Sequence, residues 1–91
     1  PVDDVIFFQS DTKYTRVVTE SEDVLIRTSL RELLDGLDPE IFWQVHRGAI
    51  VNVNRINRIT RDGVEKHSLV LRGSPEKIAV SRHFFHLFKQ M

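Results

Sequence analysis

No cysteine occurs among the 91 residues, so no disulfide can staple the chain and no thiolate can hold a metal. No run of eighteen apolar residues and no signal-peptide pattern is present, which predicts a protein without membrane contact in this segment and fits a cytoplasmic location. Glycine and proline are scarce, four and three, and no linker, repeat or low-complexity stretch breaks the chain. A glycine-rich phosphate loop is lacking, as is any nucleophile–base–orienter set, so neither an enzyme nor a cofactor is expected. At this length, residues 1–91 read as a single domain with a modest core. A hydrophobic fraction of 41%, slightly below the globular average, predicts a chain that folds with little to spare. It begins at Pro1 rather than Met, and the expectation is a fragment whose neighbours are missing.

Net charge is also absent, thirteen basic against thirteen acidic residues, but its distribution is uneven. Residues 1–45 hold four Lys/Arg against ten Asp/Glu, a balance of −6; residues 46–91 hold nine against three, a balance of +6. All four histidines lie in the second half. Two opposed halves permit a basic face on a neutral protein, although halves of a sequence need not be faces of a fold.

What is present is chiefly β-pattern. Val5-Ile6-Phe7-Phe8 reads as a buried strand, and Tyr14 to Thr19 and Val24 to Thr28 follow as two more around the Glu20-Ser21-Glu22-Asp23 turn. Ser29-Leu30-Arg31-Glu32 forms a capping box, and Leu30, Leu33, Leu34 and Leu37 make one apolar helical face. Gly36 and Asp38-Pro39 end that helix. The leucine stripe is too short for a coiled-coil seam and is read as core. Ala49 to Val53 is a strand, Ile59 to Arg61 pairs onward across Asp62-Gly63, and His67 to Arg72 and Lys77 to Val80 are the last strands. Ser81 is expected to cap a short terminal helix buried through Phe84, Leu87 and Phe88. The prediction is a mainly β, elongated antiparallel domain with two short helices and no helix-turn-helix or basic zipper.

Three junctions collect basic and hydrogen-bonding residues: Thr12 to Arg16, His46-Arg47-Gly48 and Ser81-Arg82-His83. Arginine at a junction suits DNA because its planar fork meets a guanine edge or a phosphate with two parallel bonds. Lysine, threonine and serine suit phosphate oxygens, which position without reading sequence. Taken alone, each is more often a solvated surface residue.

Order and spacing add to them. Phe42-Trp43-Gln44-Val45-His46-Arg47-Gly48-Ala49-Ile50-Val51-Asn52 resembles the His-Arg…Val-Asn signature of the LytTR family, a bacterial DNA-binding domain. Ile6-Phe7-Phe8 with Ser10 and Lys13-Tyr14, then Ser29 to Leu33, then Val80-Ser81-Arg82 resemble further blocks of that family in the same order, over essentially the whole chain. The resemblance implies the output domain of a transcription regulator behind a phosphorylatable receiver or other sensor domain. Its partner would be double-stranded DNA, with loops in successive major grooves, at paired direct-repeat sites that two copies could occupy as a dimer. Carried over residue by residue, Thr15, Arg47 and Arg82 would reach bases, while Lys13, Tyr14, His46, Ser81 and His83 would support the backbone contacts.

This chain departs from the family pattern at Gln44, where an Arg is usual, at Gly48, where a hydroxyl residue is usual, and at Ala49, where an aromatic is usual. Each departure removes a contact: an ion pair or phosphate bond, a hydroxyl, and some packing. His46 could equally hold its turn by bonding to backbone. His83 and His86 stand three apart, but without cysteine or a nearby carboxylate no metal site is expected. Asn52 is read as bracing a strand end, and Trp43 and the Phe cluster as core. The competing reading is a β-rich protein- or ligand-interaction module, in which Arg47 and Arg82 would pair with the acidic first half.

Overall fold

The structure is a computed structural model that describes residues 2–61, 63 and 66–88. Eight strands and one α-helix follow in the order β1 (Phe7–Asp11), β2 (Tyr14–Val18), β3 (Asp23–Ile26), α1 (Leu30–Gly36), β4 (Phe42–His46), β5 (Ala49–Asn52), β6 (Ile56–Arg61), β7 (His67–Leu71) and β8 (Lys77–Val80). Short 3-10 segments lie at Val2–Asp4, Val53–Arg55 and Phe85–Phe88. All strand pairs are antiparallel, in a five-stranded sheet ordered β3-β2-β1-β5-β4 and a three-stranded sheet ordered β6-β7-β8. The described residues extend 34 × 25 × 24 Å.

The five-stranded sheet is covered on both faces, and this explains its unbroken apolar runs. Alternate residues point to opposite faces. Phe8, Ile50 and Phe42 meet Leu30 of α1, while Phe7, Val51, Ala49 and Val45 meet Leu69, Leu71, Ile78 and Val80 of the second sheet. Helix α1 forms where the capping box predicts: Ser29 Oγ accepts from Glu32 N at 3.2 Å, and Ser29 N donates to Glu32 Oε1 at 3.3 Å. Beyond Pro39, the Asp38 carbonyl accepts from Ile41 N and Phe42 N and turns the chain into β4.

Contacts along the β8 region step across the strand order of the first sheet. Glu76 meets Arg16 of β2, Ile78 and Ala79 flank a cleft with Gln9 of β1 and Ala49 of β5, and Ser81 N donates to Val45 O of β4 at 2.9 Å. The second sheet therefore crosses the first instead of running along it.

Two local expectations change. The strand read at Val5–Phe8 starts its ladder at Phe7 and continues to Asp11, although Ile6 N still bonds Val18 O at 2.7 Å. The terminal helix capped by Ser81 is instead a turn leading into the 3-10 segment Phe85–Phe88. Phe84 N bonds Ser81 O, Phe85 N bonds Arg82 O and Leu87 N bonds Phe84 O, all at three-residue spacing. That spacing places Phe85 and Phe88 on one side. Phe85 stacks on His67 with centroids 3.9 Å apart and Phe88 packs on Trp43 at 5.6 Å, so Phe85 replaces Phe84 in the buried set. The Asp62-Gly63 turn lies partly outside the described residues; the hairpin's last pair is Arg61 with His67, and Gly63 has a φ of +81°.

Candidate nucleic-acid interface

Register brings the first two junctions to one end of the five-stranded sheet. Asp11 pairs Tyr14, so Thr12-Lys13 is a two-residue turn; His46 pairs Ala49, so Arg47-Gly48 is another. The two turns are neighbours: Ser10 N, two residues before the first, donates to Gly48 O of the second at 2.9 Å, and Lys13 and Arg47 line one groove. The third junction follows β8, and the Ser81–Val45 bond ties it to the strand that ends in His46.

Arg47 is exposed at the tip of its turn. His46 is half-buried, and its Nδ1 accepts from Gly48 N at 3.0 Å, which leaves Nε2 to carry the ring proton. Its visible work is to shape the turn. The Gly48 N–H is thereby engaged within the protein, so it does not stand in for the hydroxyl usual at this position. Ala49, another of the three departures, is 3% exposed and lies in the core. The half-buried Gln44 pairs with Ile50 beside a β-bulge, and nothing in the structure explains its identity.

Lys13 and Tyr14 are exposed, Tyr14 at 39%. Thr12, which shares the Lys13 turn, holds a φ of +57°, a region a β-branched residue seldom occupies. Thr15 corrects the sequence-based expectation. Its side chain is 2% exposed and its hydroxyl donates to Thr28 O at 2.7 Å, so although Thr15 lines the groove beside Lys13 it presents almost no surface to a base. It braces the exit of β3 against β2. Ser81 is half-buried, and Arg82 and His83 are exposed. His86 Nδ1 lies 2.9 Å from His83 O, and among the described residues no three His, Asp or Glu side chains gather into a metal site.

Arg16 belongs to the first junction in sequence but not in space. It points along the sheet and donates to both oxygens of Asp23, at 3.2 and 2.7 Å, both oxygens of Glu76, at 3.1 and 2.8 Å, and Gln9 Oε1 at 2.7 Å. These bonds stabilise the carboxylate forms, holding Asp23 and Glu76 below their ordinary pKa values, and raise that of Arg16. Arg16 thus clamps the two sheets together.

The sequence reading missed Arg27. It follows β3, whose end lies beside the start of β2 because Thr15 pairs Ile26. A groove of about 250 Å³ at this end is lined by Lys13, Arg27 and Arg47 together with Ser10, Thr12 and Ser29. Strand register alone could have placed Arg27 there. Among the described residues, no carboxylate pairs with these three cations. At the opposite end, Asp4, Glu20 and Glu22 line a cleft of about 310 Å³ where Arg55 pairs with Glu20 at 3.1 Å. The described charges thus sort into an acidic end and a basic end, and strand register does the sorting, since Lys13 and Arg27 at the basic end belong to the acidic half of the sequence and Arg55 at the acidic end to the basic half.

A β-rich domain that carries arginine and lysine on hairpin turns at one end, without a recognition helix, has the character of a loop-using nucleic-acid binder. The chain belongs to the LytTr DNA-binding domain family, whose model matches residues 1–91. It is 36% identical over 92 residues to an uncharacterized response regulatory protein of Vibrio cholerae, covering 97% of this chain and 34% of that protein. It is 35% identical over 83 residues to the positive alginate biosynthesis regulatory protein of Pseudomonas aeruginosa, covering 90% of this chain and 33% of that protein. Among solved structures it is similar to the LytTr DNA-binding domain of a methyl-accepting/DNA response regulator from Bacillus cereus, with a TM-score of 0.88 and 29% identity over 99% of this chain and 82% of that one. The chain spans about a third of the length of these curated relatives. It is a DNA-binding domain of that family. No helix among the described residues is long and apolar enough to cross a membrane.

Proposed function

We propose that the basic end of the five-stranded sheet binds double-stranded DNA with sequence preference, its loops entering successive major grooves. The observation that carries this is the convergence of exposed Lys13 and Arg47 on neighbouring turns, with the Arg82 junction bonded to the same strand. Arg47 and Arg82 read base edges; Lys13, Tyr14, Ser81 and His83 meet the backbone, and His46 shapes the turn that presents Arg47. Thr15 supports from within.

In a longer cytoplasmic regulator this domain would be the output, behind a receiver or sensor domain, and two copies would occupy paired direct repeats. The lengths and regulatory names of the relatives support the presence of a further domain beside this one. The test is selection of duplexes from a random pool, followed by Arg47→Ala and Arg82→Ala on the recovered site. Each substitution should cost about 1–3 kcal/mol there and relax preference at particular bases. Parental affinity and preference in both variants would overturn the loop-reading model.

A further inference from the structure

Arg27 stands outside the three basic junctions, yet it lines the same groove as Lys13 and Arg47. Its position is fixed from both sides. One residue before it, Ile26 pairs with Thr15 in the β2–β3 ladder. One residue after it, the Thr28 carbonyl is bonded by the buried Thr15 hydroxyl at 2.7 Å, and Ser29 is locked into the capping box of α1. The guanidinium therefore sits on a three-residue link between two anchored elements. The side chain is exposed, and among the described residues no carboxylate neutralises it. Arg16 and Arg55 differ, since each is held by acidic partners. Arg27 also lies on the β3 side of the groove, away from the Arg47 turn tip, with the hydroxyl residues Thr12 and Ser29 on the rim.

We infer that Arg27, with Lys13 across the groove, grips a backbone phosphate of the duplex whose bases Arg47 reads. Two cations facing one depression match the charge and hydrogen-bonding needs of a phosphodiester, with the Ser29 hydroxyl committed to Glu32 Oε1 at 3.0 Å. Base reading is the poorer fit, because Arg27 follows β3 while Arg47 holds the turn tip between β4 and β5. Arg27 is thus a sequence-independent contact that sets affinity and register, from a backbone position held on both sides.

This inference rests on the DNA-binding reading above, and the experiment separates the two. Binding of the parent, Arg27→Ala, Arg27→Lys and Arg47→Ala domains is measured on the selected duplex and on a scrambled duplex, between 50 and 200 mM salt. Arg27→Ala should weaken both duplexes by the same factor. Its plot of log affinity against log salt should be shallower by about 0.9, so that its deficit shrinks about three- to fourfold across that range. Arg27→Lys should retain the parental slope, and Arg47→Ala should lose discrimination between the duplexes. An unchanged slope in Arg27→Ala, or a loss confined to the selected duplex, would overturn the phosphate assignment while leaving the DNA-binding reading in place. A parent domain that binds neither duplex would sink that reading, and this inference with it. Unchanged melting temperatures guard against a folding artefact, as expected for an exposed side chain.

Discussion

Replacing Thr15 with valine separates a structural brace from a base reader. Valine is close to isosteric, so the change removes one hydroxyl and leaves the 2%-exposed site filled. The bond lost is the 2.7 Å donation to Thr28 O. Thr28 itself is exposed, so its carbonyl can recover water. The cost should then lie near the net value of an ordinary hydrogen bond, about 1 kcal/mol, and not near the full penalty of a buried orphan. For a domain of this size that lowers the melting temperature by roughly 4–8 °C. Thr15→Ser keeps the hydroxyl and should restore the bond. Thermal or urea unfolding measures the first effect, and binding to a panel of single-base-substituted duplexes measures the second. Thr15→Val should weaken all duplexes alike and flatten the salt dependence slightly, because the mounting of Arg27 loosens, while Thr15→Ser should recover the parental slope. Unchanged stability together with altered preference at one base would show that Thr15 reaches DNA directly and that the burial argument is wrong.

Four further outcomes rest on other contacts. Because Asp23 and Glu76 have lowered folded-state pKa values, their bonds to Arg16 stabilise the fold above the ordinary carboxylate range, and that stability is lost as pH falls from there through the lowered folded-state values. Urea midpoints of the parent should therefore drop more steeply below about pH 5 than those of Arg16→Met, and equal slopes would contradict the clamp. Gly73→Ala should destabilise by more than about 1 kcal/mol, since its φ is +91° and a Cβ would lie 2.7 Å from Glu20 Cγ and 3.0 Å from Ile6 Cδ1. Gly48→Ala should be neutral or stabilising by about 0.4–1 kcal/mol, because its φ is ordinary and the nearest atom, at 3.1 Å, is the rotatable hydroxyl of exposed Ser10. Comparative unfolding of the two variants checks the opposite signs. Asn52→Leu should cost roughly 2–4 kcal/mol, because the buried amide donates to Val5 O and Asp3 O and accepts from Asn54 N. A loss below 1 kcal/mol in urea unfolding would show that those bonds are replaceable.

Most of the architecture was legible in the sequence, and the exceptions have physical causes. The capping box at Ser29 and the leucine stripe of α1 are local signals, and they appear where read. The strand cores around Phe7, Ile50 and Leu69 were equally plain, because burial on at least one face writes itself as apolar pattern. The terminal helix gave way to bonds at three-residue spacing, Phe84 N to Ser81 O and Leu87 N to Phe84 O, in a segment whose entry is tied by Ser81 N to Val45 of a distant strand. Long-range pairing of that kind leaves no local trace. Thr15 was misplaced for a related reason: a polar residue in a basic turn looks exposed, and only its bond to Thr28, thirteen residues away, draws it inward. Arg27 went unnoticed because nothing nearby in sequence marks it. It joins the site through strand register, as Arg16 leaves it through partners on β3 and before β8.

Mapping backbone amide chemical shifts during titration with the selected duplex tests the location of the interface most directly. The largest changes should fall on Thr12, Lys13, Arg27, His46 to Gly48 and Ser81 to His83, with little change at Thr19 to Glu22 or Arg72 to Ser74. Shifts concentrated at the acidic end, or spread evenly over both sheets, would contradict a DNA interface built from these loops.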